Sequence, residues 1–130
     1  MADQREQRTV ECTIPVLPVK NLQASIEFYT NTLGFQLDWG GEPGKIICSV
    51  SRDGCCVMLQ QRSQEFTPGW VWIGLVDDAL FDEYKAKGVT VLQEPMNFSW
   101  AYEMKFADPD GNVLWLGTEP KSDMPFVGET

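Results

Sequence analysis

A chain of 130 residues with 43% hydrophobic side chains has the size of one globular domain, and 19 acidic against 10 basic groups leave it a net charge of −9. That balance disfavours nucleic acid and anionic membrane as partners and favours cationic ligands. The chain contains no histidine, which removes the commonest metal ligand and general base together.

The opening segment, MADQREQRTVE, is polar with mixed charges, and no apolar run approaches the roughly 20 residues of a membrane span; a cytoplasmic protein is expected. Cys12, Cys48, Cys55 and Cys56 lie in apolar, strand-like surroundings without C-x-x-C spacing, which predicts buried free thiols. CTIPVLPV, from Cys12 to Val19, reads as a strand that Pro15 and Pro18 confine to a sheet edge, to an irregular course or to a crossing into a partner subunit. Asn21 follows as an N-cap, and Leu22, Ile26, Tyr29 and Leu33 fall on one face of a helix that Gly34 ends. Phe35 to Trp39 alternates weakly as a strand, broken by Gly40, Gly41, Pro43 and Gly44. Lys45 to Ser51 and Cys55 to Gln61 form two further strands about an Arg52-Asp53-Gly54 turn.

QRSQEFTPG, at 61–69, is polar with one apolar residue and reads as a linker. WVWIGLV, at 70–76, is a continuous apolar strand; Asp77 or Asp78 caps a helix whose apolar face is Leu80, Phe81 and Tyr84, and Gly88 ends it before the VTVL strand. From Phe98 to Ala107 the alternation sends Trp100, Tyr102, Met104 and Phe106 to one face and Ala101, Glu103, Lys105 and Ala107 to the other. Asp108-Pro109-Asp110-Gly111 is a tight turn into the last strand. The glycine turns and the helix-ending glycines recur at nearly the same offset, so the chain reads as two copies of one plan, β, α, β, β, β. The expected organisation is a single domain with a first module at 10–61, a linker at 62–69, a second module at 70–118 and a loose tail or an arm at 119–130.

With IPVLPVKNLQASIEFYTNTLGF, WVWIGLVDDALFDEY and WAYEMKFADPDGNVLWLGTE in place, the chain resembles the vicinal oxygen chelate superfamily of glyoxalases, dioxygenases and bleomycin-resistance proteins. Its pattern is most similar to the bleomycin-resistance branch, through the PVL opening, the Glu27 to Thr30 run, the WVW strand and the tryptophan before the last hairpin. The resemblance implies an α+β fold of two βαβββ modules forming a cupped eight-stranded mixed sheet, with the helices on its convex side, in a homodimer. It also implies a place for a divalent metal, on ligands from the first, fifth and eighth strands. By position these fall on Ile14, Val71 and Trp115, none of which can ligate, so no metal, no cofactor and no catalytic residue are expected. Asp77, Asp78, Asp108 and Asp110 are each accounted for by a helix cap or a turn. The serines have no histidine base, and no glycine-rich phosphate loop precedes a helix.

In the bleomycin-resistance branch the drug lies in a groove between subunits, its flat part held by aromatic side chains and its basic groups met by acidic ones. Carried over by position, that role falls on Asp38, Trp39 and Trp100; charge and alternation add Tyr102 and Glu103, and Trp115 should face the cup. With Val71 set on the concave side, Ile73 and Leu75 join it there, and Trp70 and Trp72 pack against the helices. The expected function is sequestration of a small, cationic, partly aromatic compound such as a bleomycin-like antibiotic. The alternatives are a glyoxalase-like or dioxygenase-like metalloenzyme with a remodelled site, and a partner domain whose cup receives another protein's side chain.

Overall fold

The computed structural model describes residues 7–128. The first six residues, and the last two of the expected tail, lie outside it. The elements in chain order are β1 (Val16–Val19), α1 (Leu22–Glu27), a π-turn (Phe28–Thr32), β2 (Gln36–Gly40), β3 (Ile47–Arg52), β4 (Cys55–Gln61), β5 (Trp70–Gly74), α2 (Ala79–Ala86), β6 (Thr90–Asn97), β7 (Tyr102–Ala107) and β8 (Val113–Thr118). The strands divide into two four-stranded sheets ordered β1-β4-β3-β2 and β5-β8-β7-β6. In each, the first and last strands run parallel and the other pairs antiparallel. The same order in both halves is the duplicated βαβββ plan.

Local chemistry explains the elements. Asn21 accepts a hydrogen bond from the Ala24 amide at 3.0 Å and starts α1. The single helix expected from Leu22 to Leu33 instead relaxes into the π-turn after Glu27, where the Leu33 amide reaches back to the Phe28 carbonyl at 3.0 Å. A π-turn carries one residue more than an α-turn, and both Tyr29 and Leu33 remain buried across it. Gly34 and Gly88 end the two helical segments with φ of 79° each, a conformation that costs glycine nothing. β1 is an edge strand, as its prolines require, and it pairs with β4.

Each helix covers one face of its own sheet, and the covered faces merge into one core. Leu17, Val19, Leu22, Tyr29, Val50 and Leu59 of the first module join Phe81, Tyr84, Met104, Phe106, Leu114 and Leu116 of the second in a continuous buried cluster. Polar contacts tie the halves at two points. At the first, the Asp108 carboxylate accepts from the Tyr29 hydroxyl (2.8 Å), from the amides of Asp110 and Asn112 (2.9 Å each) and from Asn112 Nδ2 (2.9 Å). Asn112 Nδ2 also donates to the Pro18 carbonyl at 2.8 Å, and its Oδ1 accepts from the Gly69 amide at 2.7 Å. At the second, the Tyr84 hydroxyl and Arg52 Nη1 both donate to the Leu33 carbonyl, at 2.6 and 2.7 Å.

Three expectations are corrected. Cys12 and Cys55 are exposed and only Cys48 is fully buried, because Cys12 lies in the irregular lead-in to β1 and Cys55 opens β4 straight after a turn. The tail is tied rather than loose, since Asn97 Nδ2 donates to the carbonyls of Lys121 (3.0 Å) and Met124 (3.1 Å) and the Val127 amide returns to the Asn97 carbonyl (2.7 Å). The third correction is the facing of β5. Val71 belongs to the core at 9% exposure, with Ile73 and Leu75 packed against that core, while Trp70 and Trp72 stand on the uncovered face at 58% and 47%. Side chains alternate with a period of two, so placing one residue wrongly inverts the whole strand. Gly117 makes room for this arrangement: a Cβ there would overlap the six-membered ring of Trp72.

Replacing Asp108 with alanine strips the acceptor from four buried or half-buried donors, and we expect a loss of about 3–5 kcal/mol in urea unfolding, with both modules melting together. Burial pushes the Tyr84 phenol up to about 12 from 10.0, against the lowering pull of Arg52. A folded phenol that ionises later than the unfolded one stabilises the fold fully below the unfolded value and less as pH climbs through the folded one. Stability should therefore fall between pH 10.0 and about 12, by about 2–3 kcal/mol, and Tyr84→Phe, though weaker at neutral pH, should flatten that slope. Gly117→Ala should dislodge the Trp72 ring and cost about 1–3 kcal/mol, read as a lower unfolding midpoint with altered tryptophan emission.

Candidate functional site

The faces left uncovered by the helices carry the unusual chemistry. On the first sheet, the pairing of β2 with β3 shifts register between Leu37 and Trp39. A bulge of this kind puts two neighbouring residues toward one side of a strand. Asp38 thus accepts from the hydroxyls of Ser51 (2.7 Å) and Ser49 (3.3 Å), while Trp39 sits opposite Ser49 and is 50% exposed. With Gln36 Nε2 at 3.5 Å, the carboxylate is held by three neutral donors, and the indole beside it is half exposed.

On the second sheet the register sets Trp72 opposite Trp115, Trp115 opposite Lys105, and Lys105 opposite Gln93, a single row across β5, β8, β7 and β6. Trp115 is the hub. Trp70, Trp72 and Trp100 meet it edge to face, with ring centroids at 5.9, 5.2 and 5.8 Å and interplanar angles of 80°, 87° and 88°. Such edge-to-face pairs are the favoured aromatic geometry and fix ring orientation. Trp100 comes from the loop between β6 and β7, 54% exposed, where Phe98 stacks on it at 5.2 Å and 14°. The Phe98 amide donates to the Ala101 carbonyl at 2.8 Å and closes that loop.

Glu103 lies under this cluster at 1% exposure. Its carboxylate accepts from Trp115 Nε1 and, at 3.4 Å, from Gln93 Nε2; among the described residues it has no cationic partner within 4.0 Å. The one cation on the face, Lys105, points its Nζ over the rings of Trp115 (4.9 Å) and Trp70 (5.3 Å). The face therefore offers flat apolar walls, one buried carboxylate and one ammonium.

Of the residues singled out from the sequence, the structure brings Trp100, Glu103 and Trp115 together on the second sheet. Asp38 and Trp39 stand on the open face of the first sheet and make no aromatic contact with that group. Tyr102 is turned the other way, stacked on Phe81 of α2 at 5.6 Å and 27° with Lys121 Nζ 5.1 Å from its ring. Alternation separates it from Glu103, its neighbour in sequence. Sequence reasoning missed Trp70, Trp72, Lys105 and Gln93 as members of the face. Lys105 had been set on the same side as Glu103, and that shared side was the available signal.

The positions where the superfamily resemblance looks for a metal carry no usable donor. Ile14 is a hydrocarbon, Val71 faces the core, its open-face neighbours Trp70 and Trp72 are indoles, and the Trp115 nitrogen is a hydrogen-bond donor only. Among the described residues no three His, Cys, Asp or Glu side chains converge. A divalent ion does not fit these residues. Burial pushes the Cys48 thiol above its ordinary value, away from reactivity. A cleft of about 440 Å³ lies at the linker, between Lys20, Arg62, Gln64, Glu65, Phe66 and Asp110. No helix among the described residues is long and apolar enough to cross a membrane.

Comparison with known proteins agrees with this architecture. No curated protein matches the chain. Among solved structures, an integron cassette protein from the mobile metagenome of Halifax Harbour Sewage Outfall is 27% identical with a TM-score of 0.72, over 81% of this chain and 95% of that one. A glyoxalase/bleomycin resistance protein/dioxygenase superfamily member from Sphaerobacter thermophilus is 25% identical with a TM-score of 0.73, over 85% and 98%. The bleomycin-binding protein of bleomycin-producing Streptomyces verticillus, solved with copper(II)-bleomycin, is 24% identical with a TM-score of 0.71, over 88% and 99%, and shares the fold. The family model for the glyoxalase/bleomycin resistance protein/dioxygenase superfamily matches residues 10–116, and the chain belongs to that superfamily.

Proposed function

We propose that this chain is a metal-free receptor that sequesters a small, partly aromatic, cationic compound without altering it. The observation that carries the reading is the open face of the second sheet, where Trp70, Trp72 and Trp100 gather about Trp115 and its Nε1 donates to the buried Glu103 carboxylate. Flat indoles bind planar guests by stacking and attract cations to their faces. The Glu103 carboxylate and the overall charge of −9 favour the same sign of guest. The bleomycin complex of the Streptomyces verticillus neighbour makes a bleomycin-like compound the first ligand to try.

A flat face does not enclose a guest, and a chain with two uncovered sheet faces has a surface to spare. The reading includes a homodimer in which the Asp38 and Trp39 face of one protomer lies across the tryptophan face of its partner, closing two equivalent grooves about a two-fold axis. Such a groove would join Asp38, Trp39, Trp100, Glu103 and Trp115, which a single chain keeps on separate sheets. Four free thiols favour a cytoplasmic setting.

Titration of the purified protein with metal-free bleomycin and with ethidium, followed by tryptophan fluorescence, should give saturable quenching. Trp100→Ala should weaken binding by about tenfold, the worth of one stacked aromatic contact. Absence of quenching up to the solubility limit would remove the drug-binding reading, and stoichiometric divalent metal in the purified protein would transfer it to a metalloenzyme.

A further inference from the structure

Lys105 is a tryptophan-face residue whose position the receptor reading leaves unexplained. Its ammonium sits 4.9 Å from the centroid of Trp115 and 5.3 Å from that of Trp70, the geometry of a cation held between two aromatic walls. Among the described residues no carboxylate lies within 4.0 Å of its Nζ. The nearest acid along the strand, Glu103, is engaged by Trp115 Nε1 and Gln93 Nε2. The rings alone hold the charge. Trp115 serves both groups, with its N–H edge on the carboxylate and its π face toward the ammonium, and donation to an anion enriches the ring that the cation meets. The backbone beneath is fixed on both sides, by Gln93 of β6 and Trp115 of β8, so only the four-carbon stem is free to move.

We propose that Lys105 is a resident cation that gates the Trp70–Trp115 cage and so sets the specificity of the face: a guest's cationic group enters by displacing the protein's own ammonium. The inference rests on the receptor reading for its guest and on the Lys105 geometry for its gate. Monocations gain little, because one cation–π contact replaces another. Guests with a flat ring system beside their charge gain more, since the ring stacks on Trp100 or Trp72 while the charge takes the place that Lys105 leaves. Lysine suits such a gate better than arginine, because its flexible stem carries the head back to water at small cost.

Two measurements test it. In protein whose lysines carry 13C-methyl groups by reductive dimethylation, the Lys105 signal, assigned by its loss in Lys105→Met, should lie upfield from ring currents and move toward the solvent position as trimethylphenylammonium is added. Lys105→Met should bind that probe about three- to tenfold more tightly than the natural chain, while Lys105→Arg, which keeps a cation over the rings, should not. An unshifted Lys105 signal, or equal affinity of the natural and Lys105→Met proteins, overturns the gate and leaves the receptor reading standing. A shifted signal with no probe bound by either protein overturns the gate and the receptor reading together.

Discussion

The buried Asp108 carboxylate is the constraint on which the rest depends, because it is where a turn in one module becomes an anchor for the other. A desolvated carboxylate is costly unless its lone pairs are filled. Here the turn it belongs to fills three of them, through Asp110 and Asn112, and the Tyr29 hydroxyl of the first module fills another. The tyrosine responds in kind, its own ionisation driven well above the ordinary range by burial and then by that charge. Asn112 extends the link to the end of β1 and to the linker just ahead of β5. The turn thus fixes how the helix-covered faces of the two sheets meet. With those faces committed to the core, the opposite faces are necessarily the ones left for function.

That division explains why the tryptophans matter. In the core, aromatic bulk is shared among Tyr29, Tyr84, Phe81 and Phe106, with the tyrosine hydroxyls satisfied at the Asp108 and Leu33 contacts. The indoles are kept on the uncovered sides, where Trp39, Trp70, Trp72 and Trp100 are about half exposed and Trp115 is partly buried. Clusters of large exposed aromatics disfavour a free surface in water and mark a place that something else covers. The edge-to-face packing about Trp115, the bond from its nitrogen to Glu103 and the glycine beneath Trp72 show a face whose rings are individually positioned. Pre-set orientation reduces the ordering cost of binding.

Much of the fold was legible in the chain because its punctuation is local. Asn21, Gly34, Gly88 and the Asp108 to Gly111 turn each act on their immediate neighbours, and the doubling of the pattern carried the βαβββ plan from one half to the other. The π-turn was not legible, since the apolar spacing from Leu22 to Leu33 suits an α-helix equally well. The facing of β5 was hidden for a different reason. WVWIGLV is apolar at every position, so it has no alternation to mark inside from outside, and register counted from a distant cap carries no tolerance for a one-residue error. Tyr102 and Glu103 illustrate the opposite case: their alternation was plain, and the pairing of both with one site conflicted with it. The alternation from Phe98 to Ala107 set Trp100 on one face with Tyr102, Met104 and Phe106, and that placement fails because a loop ahead of β7 rather than a pleat carries Trp100 over Trp115.

At the positions where the superfamily resemblance implies metal ligands, this chain has indole and hydrocarbon, and the two chemistries would hold a guest in different ways. A coordinated metal fixes a ligand through a few short, directional bonds of high individual strength. Indole faces act through many weak contacts whose sum depends on area and on the guest's charge. Selectivity then has to come from what already occupies those faces and from what closes over them. Lys105 is an occupant from within the same chain, and in the proposed gate it would compete with cations of its own kind. Glu103 is a buried charge that Trp115 and Gln93 already partner, so a guest of the proposed receptor would not need to neutralise it. A receptor built in this way would discriminate by the geometry between a guest's ring and its charge, a property that a single strong contact to either group would mask.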